Sequence, residues 1–268
     1  MPNNDWISTA NTDIGTVRKV NEDNFLDAPK VGLWCVADGM GGHHKGDVAS
    51  RMIVEHLDNL GTQAALPPNP QQVKNSLLRI NNNLLELGTS SHESAVIGST
   101  VVVLLFDQQN AHCIWAGDSR IYRLRQNIFT RLTTDHSQVQ EMVDSGLLTP
   151  EQAAIHPSGN VITRAIGASD CLELDQVSVK LQKGDIFLLC SDGLNEVISD
   201  VEIADFLRTY PLQSVCDNLI QMALNRKVRD NVTALTVCYQ GTPQITDWGG
   251  RHDMDNTLSL DKTVPMRR

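Results

Sequence analysis

Four aspartates of this chain stand where an apolar strand-like run starts or stops. Asp38 closes LWCVAD, Asp192 closes FLLCSD, Asp230 opens DNVTALTVCY, and Asp118 lies between CIWAG and RIYRL. A carboxylate so placed sits at the margin of a sheet, and neighbouring strands would bring several of them to one end. Carboxylates gathered in one place cannot all stay ionised unless a cation compensates them. An oxygen-rich set without imidazole or thiolate selects hard ions such as Mg²⁺ or Mn²⁺. Two such ions close together can activate a shared water and clamp a phosphoryl group. Taken singly, an Asp-Gly pair after an apolar run is most often a hairpin turn, and Asp38-Gly39 and Asp192-Gly193 both qualify. The joint pattern is what points to chemistry.

The elements that must position these residues are legible as hydrophobic periodicity. Strand-like runs cover Trp6 to Thr12, Val31 to Ala37, Thr100 to Asp107, His112 to Ala116, Ile121 to Arg125, Leu174 to Leu181, Ile186 to Ser191 and Val232 to Tyr239. Val177, Val179 and Leu181 alternate with polar residues, the period of a strand with one wet face. LWCVA, FLLCS and VTALTVCY are apolar on both faces and belong in the middle of a covered sheet. Helical stripes begin at Asp47, with Gly61 as the expected stop, and after Pro70, closed by Gly88. A third helix begins at Ser199, with Glu202 placed for a capping box, and a fourth follows Pro211. Helices in pairs between groups of consecutive strands predict antiparallel sheets covered by helices rather than a parallel βαβ repeat. The polar stretch 133–167 interrupts the strands, carries one short amphipathic helix, and reads as a flap beside a site.

Composition narrows the classes of function. The 268 residues are 41% apolar with a formal net charge of -10, which describes an ordinary globular protein able to bury a sizeable core. No block of consecutive basic residues is present, so nucleic acid is not expected as the partner. The longest fully apolar run, Val101 to Phe106, is too short to span a bilayer, and the N-terminal sequence does not read as a signal peptide. Six cysteines are scattered without a CxxC pair, and four of them sit in apolar runs; this predicts free thiols in a reducing cytoplasm. No Cys-x5-Arg loop is present, and Cys190 lies inside an apolar strand.

Read together and in order, TDIGTVRKVNEDNF, VADGMGGHHKGDVAS, GSTVVVLL, WAGDSRIYRL, LTTDHS, HPSGNVITRAIG, LLCSDGL and RDNVTALTV resemble the metal-dependent protein phosphatase family, that of protein phosphatase 2C, in its compact bacterial form. The likeness runs from about Thr9 to Val237. It implies an α+β fold, a four-layer αββα sandwich of two antiparallel sheets flanked by helices. The catalytic domain would span residues 1–240 with the flap at about 133–167, followed by a loosely ordered tail at 241–268.

The resemblance also implies roles. Asp38 bridges two metal ions and the carbonyl of Gly39 reaches one of them; Asp192 and Asp230 complete the first ion's shell, and Glu22 serves the second. Asp118, with Asp192, holds a third, weaker ion. Arg18 binds the substrate phosphate, its fork of donors suiting that role. The cofactors are two Mn²⁺ or Mg²⁺ ions, and the reaction is direct hydrolysis of phosphoserine or phosphothreonine in proteins by an activated water. One departure matters. The animal form of the family reads Asp-Gly-His-Gly-Gly, with the histidine as a proposed general acid, whereas Met40 stands there in this chain. Protonation of the leaving oxygen then falls to metal-bound water or to His43. The implied partners are phosphorylated Ser/Thr proteins and a eukaryotic-like bacterial Ser/Thr kinase, with no nucleic acid or membrane, and the chain is expected to be a monomer. Two other readings are an inactive relative serving as a binding module and a hydrolase of small phosphate esters. The first would be marked by loss of a metal aspartate, and none of the four is missing. In the tail, Thr257, Ser259 and Thr263 are possible phosphorylation sites in what reads first as a polar linker.

Overall fold

The computed structural model describes residues 5–41, 45–63, 67–90, 96–107, 109–153 and 155–241. His43 and tail positions 242–268, with Thr257, Ser259 and Thr263, lie outside the described residues. Strand β1 (Trp6–Asp13) is followed by β2 (Asp23–Ala28), β3 (Leu33–Met40), α1 (Lys45–Gln63), α2 (Pro70–Ser90), the short β4 (Gly98–Ser99), β5 (Val101–Phe106), β6 (Asn110–Ala116), β7 (Arg120–Arg125) and β8 (Ile128–Arg131). Then come α3 (Gln138–Asp144), α4 (Pro150–Ala153), β9 (Asp175–Lys180), β10 (Ile186–Cys190), α5 (Asp192–Val197), α6 (Asp200–Thr209), α7 (Leu212–Asn225) and β11 (Val232–Tyr239).

The strands form two antiparallel sheets. One has the order β1-β11-β10-β7-β8; the other runs β2-β3-β5-β6-β9, with β4 beside β3. Because side chains alternate across a strand, each sheet must cover two faces. Leu33, Cys35, Val101 and Val103 face α1 and α2, where Ile53, Leu57, Leu77 and Ile80 meet them. Leu188, Cys190, Val232 and Ala234 face α6 and α7 through Ile203, Val215 and Leu219. The opposite faces meet each other through Trp34, Val36, Val102, Leu104, Phe187, Leu189, Leu235 and Val237. The result is the αββα sandwich that the sequence implied.

Aromatic edges lock the two sheets together. Trp34 and Phe106 pack with centroids 4.9 Å apart, and Phe106 meets Phe187 of the other sheet at 5.4 Å. Such pairs contribute about 0.5–1.5 kcal/mol each beyond area burial. The doubly apolar strands are interior, as expected: β3, β10 and β11 each have a strand on both sides, while the alternating β9 is an edge strand. The Ser199–Glu202 capping box forms at the start of α6.

Several boundaries differ from the sequence expectation. Gly61 does not stop α1, which runs to Gln63; a Cβ there would come within 2.9 Å of Val31, so the glycine lets the helix lie close to the turn that leads into β3. Helix α2 continues past Gly88 to Ser90. Neither Asp-Gly pair is a hairpin turn: β3 continues through Asp38-Gly39 to Met40, and Asp192-Gly193 starts α5. The flap holds two short helices rather than one.

The contact that fixes α1 on β3 is glycine on glycine. A Cβ on Gly39 would lie 2.1 Å from the Gly46 carbonyl oxygen, and one on Gly46 would lie 2.8 Å from Oε1 of Glu22. Gly46→Ala should therefore cost about 1–3 kcal/mol, as overpacking does. In a domain of this size that lowers the thermal midpoint by roughly 2–4 °C per kcal/mol. Scanning calorimetry reads it, and an unchanged midpoint would refute this close approach.

Candidate active site

All four aspartates singled out in the sequence lie at the same end of the sandwich. Two of the loops that cross from one sheet to the other, β1–β2 and β6–β7, lie at that end and carry Arg18 with Glu22, and Asp118, respectively. Asp38 is near the end of β3, Asp192 opens α5, and Asp230 precedes β11. Arg18, Glu22, Asp38, Gly39, Asp118, Asp192 and Asp230 line one cleft of about 300 Å³, joined by Met40, Thr100 and the flap residues Asn160 and Ile162. A second cavity of about 540 Å³ opens from it under the flap, sharing Asp118, Asn160 and Asp192 and walled by Val139, Val143 and Pro150.

The backbone around each acid is tightly held. The Asp38 carbonyl accepts from the Thr100 N–H at 2.8 Å and from Ser99 Oγ at 2.8 Å. The Gly39 N–H donates to the Glu22 carbonyl at 3.1 Å, and Ser50 Oγ donates to the same oxygen. Beside Asp118, Gly117 has φ +110°, and a Cβ on it would come 2.5 Å from Thr100. Asp192 occupies the first turn of α5, where the helix dipole favours negative charge.

Two residues outside the sequence-based set prove to be structural centres of the site. Asn231, almost fully buried, accepts the Glu22 N–H on Oδ1 at 2.8 Å and donates from Nδ2 to the carbonyls of Ile14 and Val20. It thereby staples the loop bearing Arg18 and Glu22 beside Asp230. Asp23 faces Asp38 across the β2–β3 pair. Its Oδ2 accepts from Ser191 Oγ and Thr233 Oγ1, both at 2.7 Å, whereas Oδ1 is buried without a partner. Both residues adjoin chosen ones, in NED and RDN, but burial is what distinguishes them, and adjacency does not reveal it.

The electrostatics follow from crowding. Asp38 keeps part of its surface open to the cleft, yet burial of its carboxyl, then the nearby Asp23, Asp192, Asp118 and Asp230, hold it well above the usual carboxylate range. Burial pushes Asp23 up to about 7 against the pull of its two hydroxyl donors. Burial and then Asp192 raise Asp118 to about 7, and burial and then Asp230 raise Asp192 to about 6. The Asp38 and Asp192 carboxyls lie within hydrogen-bonding reach of each other. Asp230 instead pairs with Arg18, whose Nη2 lies 2.5 Å from Oδ2. Among the described residues the acids therefore ring the cleft without drawing into a compact three-ligand nest. The donor set still fits a hard divalent ion: oxygen donors only, several of them raised by burial and then by their acidic neighbours, with Arg18 the one cation among the described residues lining the cleft.

The fold and the cleft define a metal-dependent phosphoprotein phosphatase, and the relationships of the sequence agree. The family described as Protein phosphatase 2C matches residues 16–235, and the chain belongs to that family. It is 33% identical over 234 residues to the "Serine/threonine phosphatase stp" of Listeria innocua, covering 84% of this chain and 93% of that protein. Among solved structures, "PppA, a key regulatory component of T6SS in Pseudomonas aeruginosa" is 41% identical with a TM-score of 0.79, covering 87% of this chain and 97% of that one. The catalytic domain of the serine/threonine protein phosphatase PstP "in complex with 2 Manganese ions" is 31% identical with a TM-score of 0.78, covering 87% of this chain and 97% of that one.

The raised Asp23 carboxyl has a consequence for stability. An acid whose folded pKa lies above its unfolded value of about 3.9 binds more protons when folded, so its contribution to stability is lost as pH rises toward that folded value of about 7. In chelated protein, Asp23→Asn, which keeps the acceptor for Ser191 and Thr233, should become progressively more stable than wild type from pH 5 to pH 7.5. Thermal midpoints across that range read the difference, and a difference independent of pH would show that Asp23 ionises normally.

Proposed function

We propose that the cleft hydrolyses phosphoserine and phosphothreonine in proteins at a centre of two Mn²⁺ or Mg²⁺ ions. The observation that carries this reading is the gathering of Glu22, Asp38, Asp118, Asp192, Asp230 and Arg18 around one cavity. Asp38 would hold both ions, with Asp192 and Asp230 on the first, Glu22 on the second and the Gly39 carbonyl on one of the two; Asp118, with Asp192, would hold a weaker third. Bound there, such ions supply positive charge for the phosphoryl oxygens and lower the pKa of water.

The chain's own residues do the rest. Arg18 lies on the rim with its guanidinium about half exposed, so it can exchange Asp230 for a phosphoryl oxygen. Its charge is favoured by Asp230, Glu22 and Asp38. Thr100, Ser99 and Asn231 hold the loops in place, so that little reorganisation is needed when substrate enters. The adjoining cavity under the flap gives room for residues flanking the phosphorylated one, which supports a protein rather than a small ester as substrate. Met40 occupies the cleft where the animal family carries histidine, so the proton for the leaving oxygen comes from water or from His43.

The biological setting belongs to the same proposal. The likeness to bacterial Ser/Thr phosphatases supports a counterpart Ser/Thr kinase. Six free thiols support a reducing cytoplasm, and no described helix is long and apolar enough to cross a membrane. Residues 1–240 would act as one catalytic unit with 133–167 as its flap, working as a monomer.

Chelation with EDTA should abolish hydrolysis of a phosphothreonine peptide, and added Mn²⁺ should restore it. Asp38→Ala and Asp192→Ala should each remove that activity with the fold intact by circular dichroism. Arg18→Ala should raise KM tenfold or more, as expected for a charge-assisted bond worth about 1.5–3 kcal/mol. Normal turnover by either aspartate variant, or faster turnover of nucleotides than of phosphopeptides by wild type, would overturn the reading.

A further inference from the structure

His136, in the LTTDHS segment, has no part in the site described so far. It is buried, 7% exposed, and its ring lies nearly parallel to Trp115 with centroids 6.1 Å apart. Its backbone N–H donates to the Gly117 carbonyl at 2.9 Å, and its Nδ1 accepts the Gly117 N–H at 3.1 Å. A backbone N–H can only donate, so Nδ1 carries the lone pair and Nε2 the hydrogen. Nε2 faces Asp175 Oδ2 at 3.2 Å, which fixes the same tautomer. Arg164 Nη1 is 3.5 Å from Nε2 and pairs with Asp175, and burial lowers the pKa of the ring. Both backbone polar groups of Gly117 are thus held by a single residue nineteen positions away.

Gly117 immediately precedes Asp118. On the other side, Ser119 Oγ lies 2.7 Å from Thr100 Oγ1, and Thr100 holds the backbone of Asp38. Asp118 is therefore aimed by two clamps, one of which is His136. The same histidine belongs to the flap. Its carbonyl accepts the Thr163 N–H at 2.8 Å, Ser137 bridges to Ile162, and the Gln138 N–H donates to the Val161 carbonyl at 2.9 Å. Further along the returning stem, Ile166 and Ser99 exchange backbone hydrogen bonds at 2.9 and 3.0 Å, and Ser99 Oγ donates to the Asp38 carbonyl. The two stems of the flap are zipped together and fastened to Gly117 and Ser99, which in turn hold Asp118 and Asp38.

We propose that His136 is a positioning residue: it aims Asp118 through Gly117 and ties the flap stems to the weaker divalent-cation position shared by Asp118 and Asp192. The inference rests on the metal roles proposed above, but its readout is separate from them. Outer partners of metal ligands govern affinity by about 10–100-fold, so the effect should fall on one ion and spare the others.

Calorimetric titration of the full chain with Mn²⁺ tests this. Asp118→Ala should abolish the weakest binding event in the wild-type isotherm. His136→Leu should weaken that event by about tenfold or more and leave the tighter events within twofold. His136→Asn should restore most of the affinity, because its Oδ1 can replace Nδ1 as acceptor for the Gly117 N–H, whereas a purely packing role would not be rescued by this smaller polar side chain. A folded His136→Leu protein with wild-type binding of the weakest ion would overturn the proposal. Equal weakening of every event with no rescue by His136→Asn would overturn it too, by reducing His136 to general support. Wild-type protein that binds no Mn²⁺, or an unaltered isotherm for Asp118→Ala, would instead sink the metal reading on which the inference stands.

Discussion

Repulsion among carboxylates at one end of the sandwich is the constraint to which the rest of the structure answers. Asp23 and Asp38 oppose each other across a strand pair, Asp38 meets Asp192, and Asp118 and Asp230 stand beside them. Burial in a medium less polarisable than water makes each charge costly unless it is paired or neutralised. A free chain would relieve that cost by moving the acids apart. The fold prevents it by fixing backbone rather than side chains: the carbonyl of Asp38 is held twice, the Gly39 amide is bound to Glu22, and Asn231 binds the neighbouring loop at three points. Burial first, and then the neighbouring carboxylates, raise Asp23 and Asp118 toward 7, and a bound cation would offset the repulsive part of that cost.

Because the acids come from both sheets, their spacing depends on how the sheets lie on each other. Asp192 and Asp230 flank β10 and β11 of one sheet, while Asp38 and Glu22 belong to the margin of the other. Sliding one sheet over the other would pull the site apart. The interlocking edges of Trp34, Phe106 and Phe187 oppose such sliding, since aromatic rings in a close-packed interior cannot move without opening voids. Core packing thus has a direct chemical consequence at the cleft.

Which of this could be seen in the sequence follows from which interactions are local. Strand interiors announce themselves by runs of apolar residues, and the capping box at Ser199 by its own spacing. Strand β2, DNFLDA, has two acids in six residues and no periodic signature, and it is a strand because β3 pairs with it. Strand β8 is four residues long and depends likewise on β7. Helix α5 began with an Asp-Gly that local chemistry assigns to a turn; what decides it is Gly193 packing on the Asn231 carbonyl, a contact thirty-eight residues distant. The chosen acids were legible as a set by their position at strand ends, and they line one cleft. Asp23 and Asn231 were not, because their importance lies in burial and in long-range hydrogen bonds.

The flap illustrates how such a scaffold can separate holding from meeting. Its stems, near 136–138 and 161–166, make backbone hydrogen bonds to each other, to Gly117 beside Asp118 and to Ser99 of β4. Backbone bonds tolerate exchange of side chains, so the stems can hold the acids whatever sequence lies between them. The stretch between the stems is of a different character: Leu147 and Ile155 are 74% and 86% exposed, large apolar side chains on open surface in the segment whose Val139, Val143 and Pro150 wall the cavity that leads to Asp118 and Asp192. Exposed apolar groups beside a polar cleft suit contact with a folded or extended protein surface, where their burial would favour binding.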